Sequence, residues 1–472
     1  MKTKMREYKL YIDGKWQDSK SGRVIEVENP ATREIIGKVP RGNADDVDLA
    51  VKAANAAQPA WSALPVKERA DLMRKLADII DRRKDEFAEV ITEELGIPVT
   101  YSFDFHVVTS IDAARKAADM AETYEYEKPL DGGFVVREPL GVIAGICPWN
   151  YPLQQATFKL LPAIAAGNCG ILKPSRNAPL CCGMLTEAIE EAGFPAGVFN
   201  LVTGIGGEVG NALSSHEGVQ AISFTGSTKG GIEVGKLALD TVKKITLELG
   251  GKSPLVVLEG ADLKAAVAAV CRSAFMNTGQ TCCAYTRFII PEKLEGEREG
   301  LLVKEAEKYN TGDPLDPATT VGPLISEKAF NKVKGYLEKG VAAGARLVTG
   351  EIPENCDNGY FVKPAVFMGV KNDMAIAQEE IFGPVLSVIS YKDEDEALRI
   401  ANDVEYGLAG SVFGPKDRAV AMARKIKAGT VSVNGARGAG DFPFGGYKSS
   451  GLGREGGTYG FEEFLEIKSL KY

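Results

Sequence analysis

The spacing of hydrophobic and polar positions changes near residue 140 of this chain. Before that point, apolar residues recur at helical spacing over 66–95, where Gly96-Ile97-Pro98 ends the pattern, and again over 112–126. Asp45-Asp46 can cap a further helical stretch that runs to residue 57. Residues 46–126 are therefore predicted to be largely helical.

From residue 140 onward, short β-rich runs alternate with helical segments. The predicted strands are 142–146, 168–172, 198–202 and 221–224, and the predicted helices are 155–166, 180–192 and 207–214. After residue 254 the pattern repeats with strands 255–258, 285–290 and 385–391 and helices 263–276 and 331–343. Such alternation is typical of parallel sheets covered on both faces. The chain is therefore predicted to be α/β, with two α/β domains joined by a hinge at 250–254.

Composition and charge narrow the function classes. A chain of 472 residues that is 44% hydrophobic can bury large cores and is expected to form two or three domains. A net charge of -8 with no basic block argues against a nucleic-acid partner. The N-terminus lacks an apolar signal region, and the longest apolar runs are too short to span a membrane. Eight cysteines occur without metal-ligand spacing, so a reducing cytoplasm is the simplest location.

Histidine is scarce, which limits the possible mechanisms. Only His106 and His216 are present, the first in an apolar segment and the second in a polar turn, and a structural role is predicted for both. Hydrolysis by a Ser/His/Asp triad and catalysis by a bound metal are therefore disfavoured, and no metal site is predicted.

Three residues are candidates for carbonyl chemistry. Cys282 follows a Gly-containing turn, and a thiolate is a good nucleophile toward a carbonyl carbon, although such a cysteine is more often a small buried hydrophobe. Glu248 stands between leucines at a strand end, which suits a general base, or it is an exposed residue of an alternating strand. Asn150 lies in a Pro-rich turn, where its amide could donate to an oxyanion or simply tolerate the backbone.

Two glycine clusters are candidates for phosphate binding. Residues 224–231, Phe-Thr-Gly-Ser-Thr-Lys-Gly-Gly, follow a strand and open a helix, so their N–H groups could hold a pyrophosphate. Residues 204–210 form G-x-G-x-x-x-G, one residue away from the dinucleotide fingerprint. Each cluster alone is weak evidence, and together they favour a nucleotide site in the first α/β half.

These fragments occur together and in this order in the aldehyde dehydrogenase superfamily, which the chain resembles. The resemblance runs from Tyr-Ile-Asp-Gly-Lys-Trp at 11–16 to Gly-Gly-Tyr-Lys-Ser-Ser-Gly at 445–451. Its most specific segments are Leu-Glu-Leu-Gly-Gly-Lys at 247–252 and Gly-Gln-Thr-Cys at 279–282.

The resemblance implies an acid-forming member that uses NAD or NADP. Cys282 would be the nucleophile, and Cys283 a variable neighbour without a catalytic role. Asn150 and the Cys282 N–H would hold the oxyanion of a thiohemiacetal, and hydride transfer would leave a thioester. Glu248 would activate the water that hydrolyses it, a residue that coenzyme A-acylating members lack. Two further residues near the centre, possible proton carriers in the family, are Lys159 and Glu455.

The resemblance also implies a set of cofactor residues: Lys173 with the following Ser175 at the adenosine ribose, Gly226 and Ser227 at the pyrophosphate, Glu380 and Phe382 at the nicotinamide riboside, and Trp149 nearby. One departure concerns Arg176, where many NAD-preferring members have a Glu that binds the ribose 2′-hydroxyl. Arg176 should attract a 2′-phosphate, so we predict that NADP is accepted. The alternative is that Arg176 points into solvent.

Substrate, assembly and domain boundaries follow from the resemblance in outline. By position, the aldehyde tunnel would be lined by Tyr151, Phe158, Met276 and Phe444, which suggests broad use of aliphatic and aromatic aldehydes. Arg437, in the loop 434–441, could instead bind the carboxylate of a semialdehyde and so select that substrate. The expected domains are 1–118 with 140–250 for the cofactor and 251–445 for catalysis.

Residues 119–139 and 446–472 would form a small β oligomerisation element, giving a homodimer or homotetramer. Three other function classes stay open at this point. They are a coenzyme A-acylating dehydrogenase, a cysteine hydrolase that uses one of the two histidines, and a non-catalytic binding relative.

Overall fold

The first sheet of the protein joins the predicted strands of the N-terminal half. The computed structural model describes residues 5–438 and 441–472, apart from the side chain of Glu295. The sheet has eight strands, in the order Gly451–Leu452, Lys244–Glu248, Ala221–Thr225, Val142–Ile146, Cys169–Lys173, Phe199–Leu201, Leu10–Ile12 and Lys15–Gln17. Its five central strands are parallel, and the flanking strands are antiparallel.

A second sheet begins after Gly250-Gly251. Its seven strands stand in the order Arg346–Thr349, Ala365–Met368, Val385–Tyr391, Tyr285–Pro291, Ser253–Val257, Ala409–Phe413 and Thr430–Val433. Neighbouring positions of one strand enter different cores, since Leu255 packs in one apolar cluster and Val256 in another. Both faces of this sheet are therefore covered, as the near-continuous apolar runs predict.

Helices cover the two large sheets. In the first half they are Ala44–Ala63, Val66–Arg82, Lys84–Leu95, Val99–Ser102, Thr109–Thr123, Pro152–Ala165, Leu180–Ala192, Asn211–Ser215 and Thr228–Leu239, with π-helical turns at Phe103–Val108 and Gly206–Gly210. In the second half they are Leu263–Phe275, Glu295–Ala306, Glu327–Ala342, Ala375–Gln378, Glu394–Asn402, Lys416–Ala423 and Gly457–Glu462, with 3₁₀ turns at Met276–Gly279 and Glu292–Leu294.

Two local predictions for the helices were wrong. The stretch 66–95 is two helices, because Arg83 leaves helical geometry at φ -102° and ψ 14°. Its guanidinium binds Glu86 and Glu187 across the break. The first helix is capped by Asn43, whose side chain accepts from the N–H of Asp46, while the Asp46 carboxylate accepts from the N–H of Asn43. Asp46 thus completes a capping box instead of standing at the cap itself.

A small third sheet brings together two segments that are distant in sequence. Its strands stand in the order Leu465–Lys471, Gly133–Pro139 and Glu127–Leu130. The C-terminal strand pairs antiparallel with the central one over seven residue pairs, and both outer strands are almost entirely exposed. The other part of the C-terminal segment lies elsewhere, since Gly451–Leu452 extends the first sheet.

The short remaining strands form a three-stranded sheet of Arg6–Glu7, Ile35–Pro40 and Val24–Glu28, and a two-stranded one of Tyr406–Gly407 and Tyr447–Lys448. Within residues 5–438 and 441–472, no helix has the length and apolar character needed to cross a membrane. The architecture is therefore α/β with two large sheets, and the segment Gly250-Gly251 between them contacts the candidate site.

Candidate active site

Cys282 lies at the end of a strained turn. After the helix Leu263–Phe275, Asn277 and Thr278 adopt left-handed backbone angles with φ of 51° and 55°. A β-branched threonine rarely adopts this conformation, and it costs about 1–3 kcal/mol unless its surroundings hold it. The Thr278 hydroxyl donates to the carbonyl of Gly322 at 3.0 Å, and the Asn277 amide donates to the carbonyl of Asn150 at 2.9 Å. The fold therefore holds the approach to Cys282 in one shape.

Cys282 is partly exposed. Its pKa is raised, first by the interaction with the Cys283 thiol, then by burial and by the nearby carboxylates. Its backbone N–H donates no hydrogen bond within the described residues, which leaves this donor free for a bound oxyanion.

Asn150 is buried beside the same turn. Its Nδ2 donates to the carbonyl of Gln280 at 2.9 Å, which uses one of the two amide hydrogens and fixes the amide two residues before Cys282. Tyr151, the next residue, joins its hydroxyl to the Thr281 hydroxyl at 2.8 Å. With the bond from Asn277 to the Asn150 carbonyl, the turn after strand Val142–Ile146 and the turn before Cys282 are thus held together at three points.

Glu248 ends a strand of the first sheet and is 2% exposed. Neither carboxylate oxygen has a hydrogen-bond partner in the described part of the chain. Burial, followed by the negative charge of Glu455, raises the pKa of Glu248 to about 9. A buried carboxylate without partners has capacity to bind and deprotonate a water molecule, and the sequence anticipated the direction of its shift.

Lys159 and Glu455 form a buried ion pair, with side chains 0% and 4% exposed. The Lys159 ammonium donates to Glu455 Oε1 and also to the Ser223 hydroxyl at 3.2 Å, while Ser223 donates to the same carboxylate oxygen at 3.1 Å. Because the negative charge of Glu455 acts on Glu248, this triad belongs to the electrostatics of the site.

Gly250 and Gly251 connect the two halves of the site. The Gly251 N–H donates to Glu380 Oε1 at 2.9 Å, and a β-carbon on Gly250 would lie 2.9 Å from the same carboxylate. A β-carbon on Gly251 would lie 2.3 Å from the carbonyl oxygen of Cys282. Only glycine fits at this crossing point between Glu380 and Cys282.

The candidate phosphate segment lies at the carboxyl end of the first sheet. Ser227 caps the helix Thr228–Leu239 through the N–H of Gly230, and it is exposed, as a phosphate site at a helix N-terminus requires. The N–H of Gly226 donates to the carbonyl of Glu248 at 3.0 Å. This bond attaches the candidate cofactor segment to the strand that carries the candidate base.

Lys173 ends the strand Cys169–Lys173 and is 4% exposed. Its ammonium donates to the carbonyl of Pro174, and burial, aided by the charge of Arg176, lowers its pKa to about 8. Ser175 is half-buried and Arg176 is exposed, so the charge of Arg176 acts on Lys173 from the protein surface. A ligand at this edge would meet two cationic groups.

Two aromatic residues are brought together from the two halves. The rings of Trp149 and Phe382 meet edge to face with centroids 5.4 Å apart. Phe382 has a φ of 62°, an unfavourable angle for a phenylalanine, two residues after Glu380. The candidate nicotinamide residues therefore lie beside the turn that carries Asn150.

The predicted substrate residues are only partly brought together. Tyr151 contacts the Cys282 turn through Thr281, and Phe444 exchanges two backbone hydrogen bonds of 2.7 Å with Glu455. Phe158 and Met276 are half-buried on the segments that carry Lys159 and Asn277. Arg437 is exposed, and no contact of the described residues joins it to Cys282. Ala439 and Gly440, in the same predicted loop, lie outside the described residues.

Several supporting residues escaped the sequence analysis. Asn277, Gln280 and Thr281 hold the nucleophile turn, and they stand in the same segment as Cys282, so their position could have suggested a role. Ser223 bridges Lys159 and Glu455 from an apolar strand, where no sequence signal distinguishes it from an ordinary core residue. A β-carbon at position 445 would lie 2.7 Å from Glu248 Oε1, so Gly445 leaves room for that carboxylate, which is distant in sequence.

Comparison with known proteins decides which family the chain belongs to. The family model described as "Aldehyde dehydrogenase family" matches residues 16–470. The chain belongs to the aldehyde dehydrogenase family. The relatives include a Staphylococcus haemolyticus protein that carries an aldehyde dehydrogenase name and is 46% identical over 470 residues, 99% of each chain. Membership of this family confirms the resemblance drawn from the sequence.

Solved aldehyde dehydrogenases share the whole fold. Aldehyde dehydrogenase C of Pseudomonas syringae, solved as a cysteine-to-alanine mutant with NAD+ and octanal, is 42% identical with a TM-score of 0.96, over 98% of this chain and 96% of that one. A Mycobacterium tuberculosis aldehyde dehydrogenase complexed with NAD+ has the same identity and TM-score, over 99% of both chains. These matches confirm the predicted α/β fold class, and the complexes support the expectation of a nicotinamide cofactor.

Proposed function

We propose that this aldehyde dehydrogenase oxidises an aldehyde to the free carboxylic acid, with Cys282 as nucleophile and Glu248 as the base for hydrolysis. The observation that carries the proposal is the buried Glu248 carboxylate, which has no partner in the described residues. Glu248 lies three residues before Gly251, and a β-carbon on Gly251 would lie 2.3 Å from the carbonyl oxygen of Cys282. A base at this place favours water over coenzyme A as the acceptor of the acyl group.

The chemistry follows from the groups around Cys282. The Cys282 thiol releases its proton to solvent and its sulfur adds to the aldehyde carbon, and the oxyanion of the thiohemiacetal accepts hydrogen bonds from the Asn150 amide and the Cys282 N–H. Loss of hydride from that carbon leaves a thioester on Cys282. Glu248 then takes a proton from water, which attacks the thioester and releases the acid. Burial is the main cause of the raised pKa of Glu248, and Glu455 of the triad Lys159, Ser223 and Glu455 adds to it.

The residues present fit a nicotinamide dinucleotide, which supplies the hydride acceptor when bound. Among the described residues, the Lys173 ammonium donates to one neighbouring carbonyl. Ser227 stands exposed at a helix N-terminus, and Gly206 and Gly207 face open space. Gly226 and Ser227 would hold the pyrophosphate, Lys173 and Ser175 the adenosine ribose, and Glu380 the nicotinamide ribose. Phe382 and Trp149 would flank that end. Arg176 would meet the 2′-phosphate of NADP.

The substrate we propose is an apolar aliphatic or aromatic aldehyde. Tyr151 precedes the helix Pro152–Ala165 and Phe158 lies within it, and together with Met276 and Phe444 they would supply an apolar lining. The Pseudomonas syringae relative was solved with octanal, an aldehyde of this class. Arg437, exposed in this structure, supplies the competing hypothesis of a semialdehyde substrate.

A cofactor-reduction assay tests the proposed reaction. Octanal, benzaldehyde and succinic semialdehyde are offered with NAD+ or NADP+, with and without coenzyme A, and the product is identified by mass spectrometry. We expect free acid from octanal and benzaldehyde, unchanged by coenzyme A, and no activity in Cys282→Ala. An acyl-coenzyme A product would refute the role of Glu248. A strong preference for the semialdehyde would replace the apolar substrate class and favour Arg437.

We also propose an assembly and a location. The exposed outer strands Glu127–Leu130 and Leu465–Lys471 offer free edges, so segments 119–139 and 446–472 would join subunits into a homodimer or homotetramer, beside the proposed cofactor and catalytic domains. All eight cysteines are free thiols, which suits the cytoplasm. Size-exclusion chromatography that showed only monomers would refute the assembly.

A further inference from the structure

His106 is a buried histidine whose ring makes no hydrogen bond to the described residues. It is 0% exposed, it lies in the π-helical turn Phe103–Val108, and neither ring nitrogen has a partner in the part of the chain that the structure describes. Burial lowers its pKa to about 3, so the ring is neutral at any pH at which the enzyme works. π-Helical turns occur often at functional sites, which directs attention to what this ring contacts.

The His106 ring lies flat against the ring of Tyr151. The centroids are 5.0 Å apart and the planes differ by only 15°. Tyr151 is itself 9% exposed, and its hydroxyl is joined to the Thr281 hydroxyl at 2.8 Å. Thr281 directly precedes Cys282, and Tyr151 directly follows Asn150. One continuous row of contacts thus runs from the π-helical turn to the nucleophile.

A second row of hydrogen bonds fixes the same turn to the helix Pro152–Ala165. The Gln154 amide donates to the Thr109 hydroxyl at 3.3 Å, and the Thr157 hydroxyl donates to the Ser110 hydroxyl at 3.3 Å. The Ser110 hydroxyl donates to the carbonyl of His106 at 2.6 Å, and the Thr109 hydroxyl lies 2.7 Å from the carbonyl of Phe105 and 3.2 Å from that of His106. These bonds hold the segment that carries His106 against the helix Pro152–Ala165.

We infer that His106 is a positioning residue, whose ring holds Tyr151 so that Tyr151, through Thr281, fixes the backbone that presents Cys282. The inference rests on the proposed role of Cys282. An imidazole with two unpaired nitrogens is a costly choice for a buried site, because an unpaired polar group loses its hydration without compensation. A flat ring at this position supplies the stacking surface, and stacking does not require the nitrogens.

The experiment compares His106→Leu, which removes the flat ring, with His106→Phe, which keeps it. His216→Gln, at the chain's other histidine, is the matched control. Three measurements are made for each variant. Steady-state kinetics give kcat and the KM values of octanal and of the cofactor, iodoacetamide gives the alkylation rate of Cys282 in the absence of substrate and cofactor, and thermal unfolding gives the melting temperature. Alkylation is read by mass spectrometry of the Cys282 peptide, so that reaction at Cys283 is counted separately.

We expect His106→Leu to lower kcat by about tenfold or more and to shift the alkylation rate of Cys282 by at least ~3-fold, with the cofactor KM unchanged. His106→Phe should stay within ~2-fold of the parent in both and melt no lower. Thr281→Val, which removes the hydroxyl at the other end of the row, should act as His106→Leu does. The double variant should be no worse than either single change, because both break one row.

Several results would overturn the inference. Parent-like kcat and alkylation in His106→Leu would show that the ring supports nothing. Equal losses in the Phe and Leu variants would assign the effect to the imidazole nitrogens instead of the stacked ring. Additive losses in the double variant would show two independent effects. Alkylation does not require turnover, so an inactive parent would refute the proposed function while the alkylation series still tested this row.

Discussion

The backbone of Gly251 packs against the carbonyl of Cys282, although 31 positions separate the two residues in the chain. A side chain at position 251 would have no room beside that carbonyl. A β-carbon there would lie 2.3 Å from that oxygen, while the Gly251 N–H binds Glu380. The crossing therefore couples the position of the nucleophile to the position of a proposed cofactor ligand. A small displacement at Gly251 should affect both.

Gly251→Ala should lower kcat by roughly 100-fold, because a nucleophile displaced by about 1 Å loses its reactive alignment. The matched control is Gly335→Ala, on the helix Glu327–Ala342, where a β-carbon meets nothing within 4 Å. That variant should keep full activity. Steady-state kinetics and melting curves check both, and a fully active Gly251→Ala would show that the contact does not position Cys282.

The rate of thioester hydrolysis should rise with pH, reach half its maximum near pH 9 and level off above that pH. Burial and the charge of Glu455 raise the pKa of Glu248 to about 9, so at pH 7 most molecules hold a protonated carboxyl that cannot accept a proton from water. Single-turnover kinetics across pH 6–10 measure this step. A profile that is flat over this range, or identical in Glu248→Gln, would remove Glu248 from the hydrolysis.

The same group should make stability depend on pH. Because the pKa of Glu248 is raised from 4.5 on folding, the folded state holds a proton that the unfolded state releases. Its contribution to stability is complete below about pH 4.5 and is lost as pH rises toward 9. Melting temperatures of the parent should therefore fall relative to those of Glu248→Gln across that interval. A constant difference between the two proteins would contradict this account.

Lys159→Met should lower the free energy of unfolding by about 3–5 kcal/mol, because it leaves the Glu455 carboxylate buried without its cation. The double variant Lys159→Met/Glu455→Leu should recover much of that loss, since it removes both charges from the interior. Urea unfolding followed by circular dichroism measures both. If the double variant were less stable than the single one, the pair would be stabilising in its own right.

Arg176→Glu should change cofactor preference toward NAD+. A charge-assisted contact with the 2′-phosphate contributes about 1.5–3 kcal/mol, so the NADP+/NAD+ ratio of kcat/KM should fall by roughly one to two orders of magnitude. Arg424→Glu, an exposed arginine at the end of the helix Lys416–Ala423, is the control for net charge. An unchanged ratio in Arg176→Glu would support the alternative in which Arg176 faces solvent.

Local patterns predicted much of the fold, whereas contacts between distant segments were out of reach. The strand 142–146 and the helix 180–192 occur where apolar spacing placed them, because each is set by neighbouring residues. At the helix break, Arg83 binds Glu187, which is 104 positions away, and periodicity alone extended the helix across this point. Helix propensity depends on neighbouring residues, so it carries no information about a contact with a distant segment.

The candidate site divides in the same way. The leucines that flank Glu248 left its burial or exposure open, and the roles of Cys282 and Asn150 came from the resemblance. The Asn150–Gln280 bond joins residues 130 apart, and the ion pair of Lys159 with Glu455 spans 296 positions. His106 shows the limit most clearly, because its structural assignment from sequence could not include the stacking on Tyr151.

The measurement that tests the central claim most directly is mass spectrometry of the Cys282 peptide after Glu248→Gln is mixed with octanal and NAD+ or NADP+ and quenched in acid. The claim predicts one equivalent of reduced cofactor, little further turnover, and a Cys282 peptide that gains the mass of the aldehyde less two hydrogens. Cys283→Ala should be active and follow the parent. Continued turnover without an adduct, or an adduct on another residue, would contradict the assignment of Cys282 as the acyl carrier and Glu248 as its hydrolytic base.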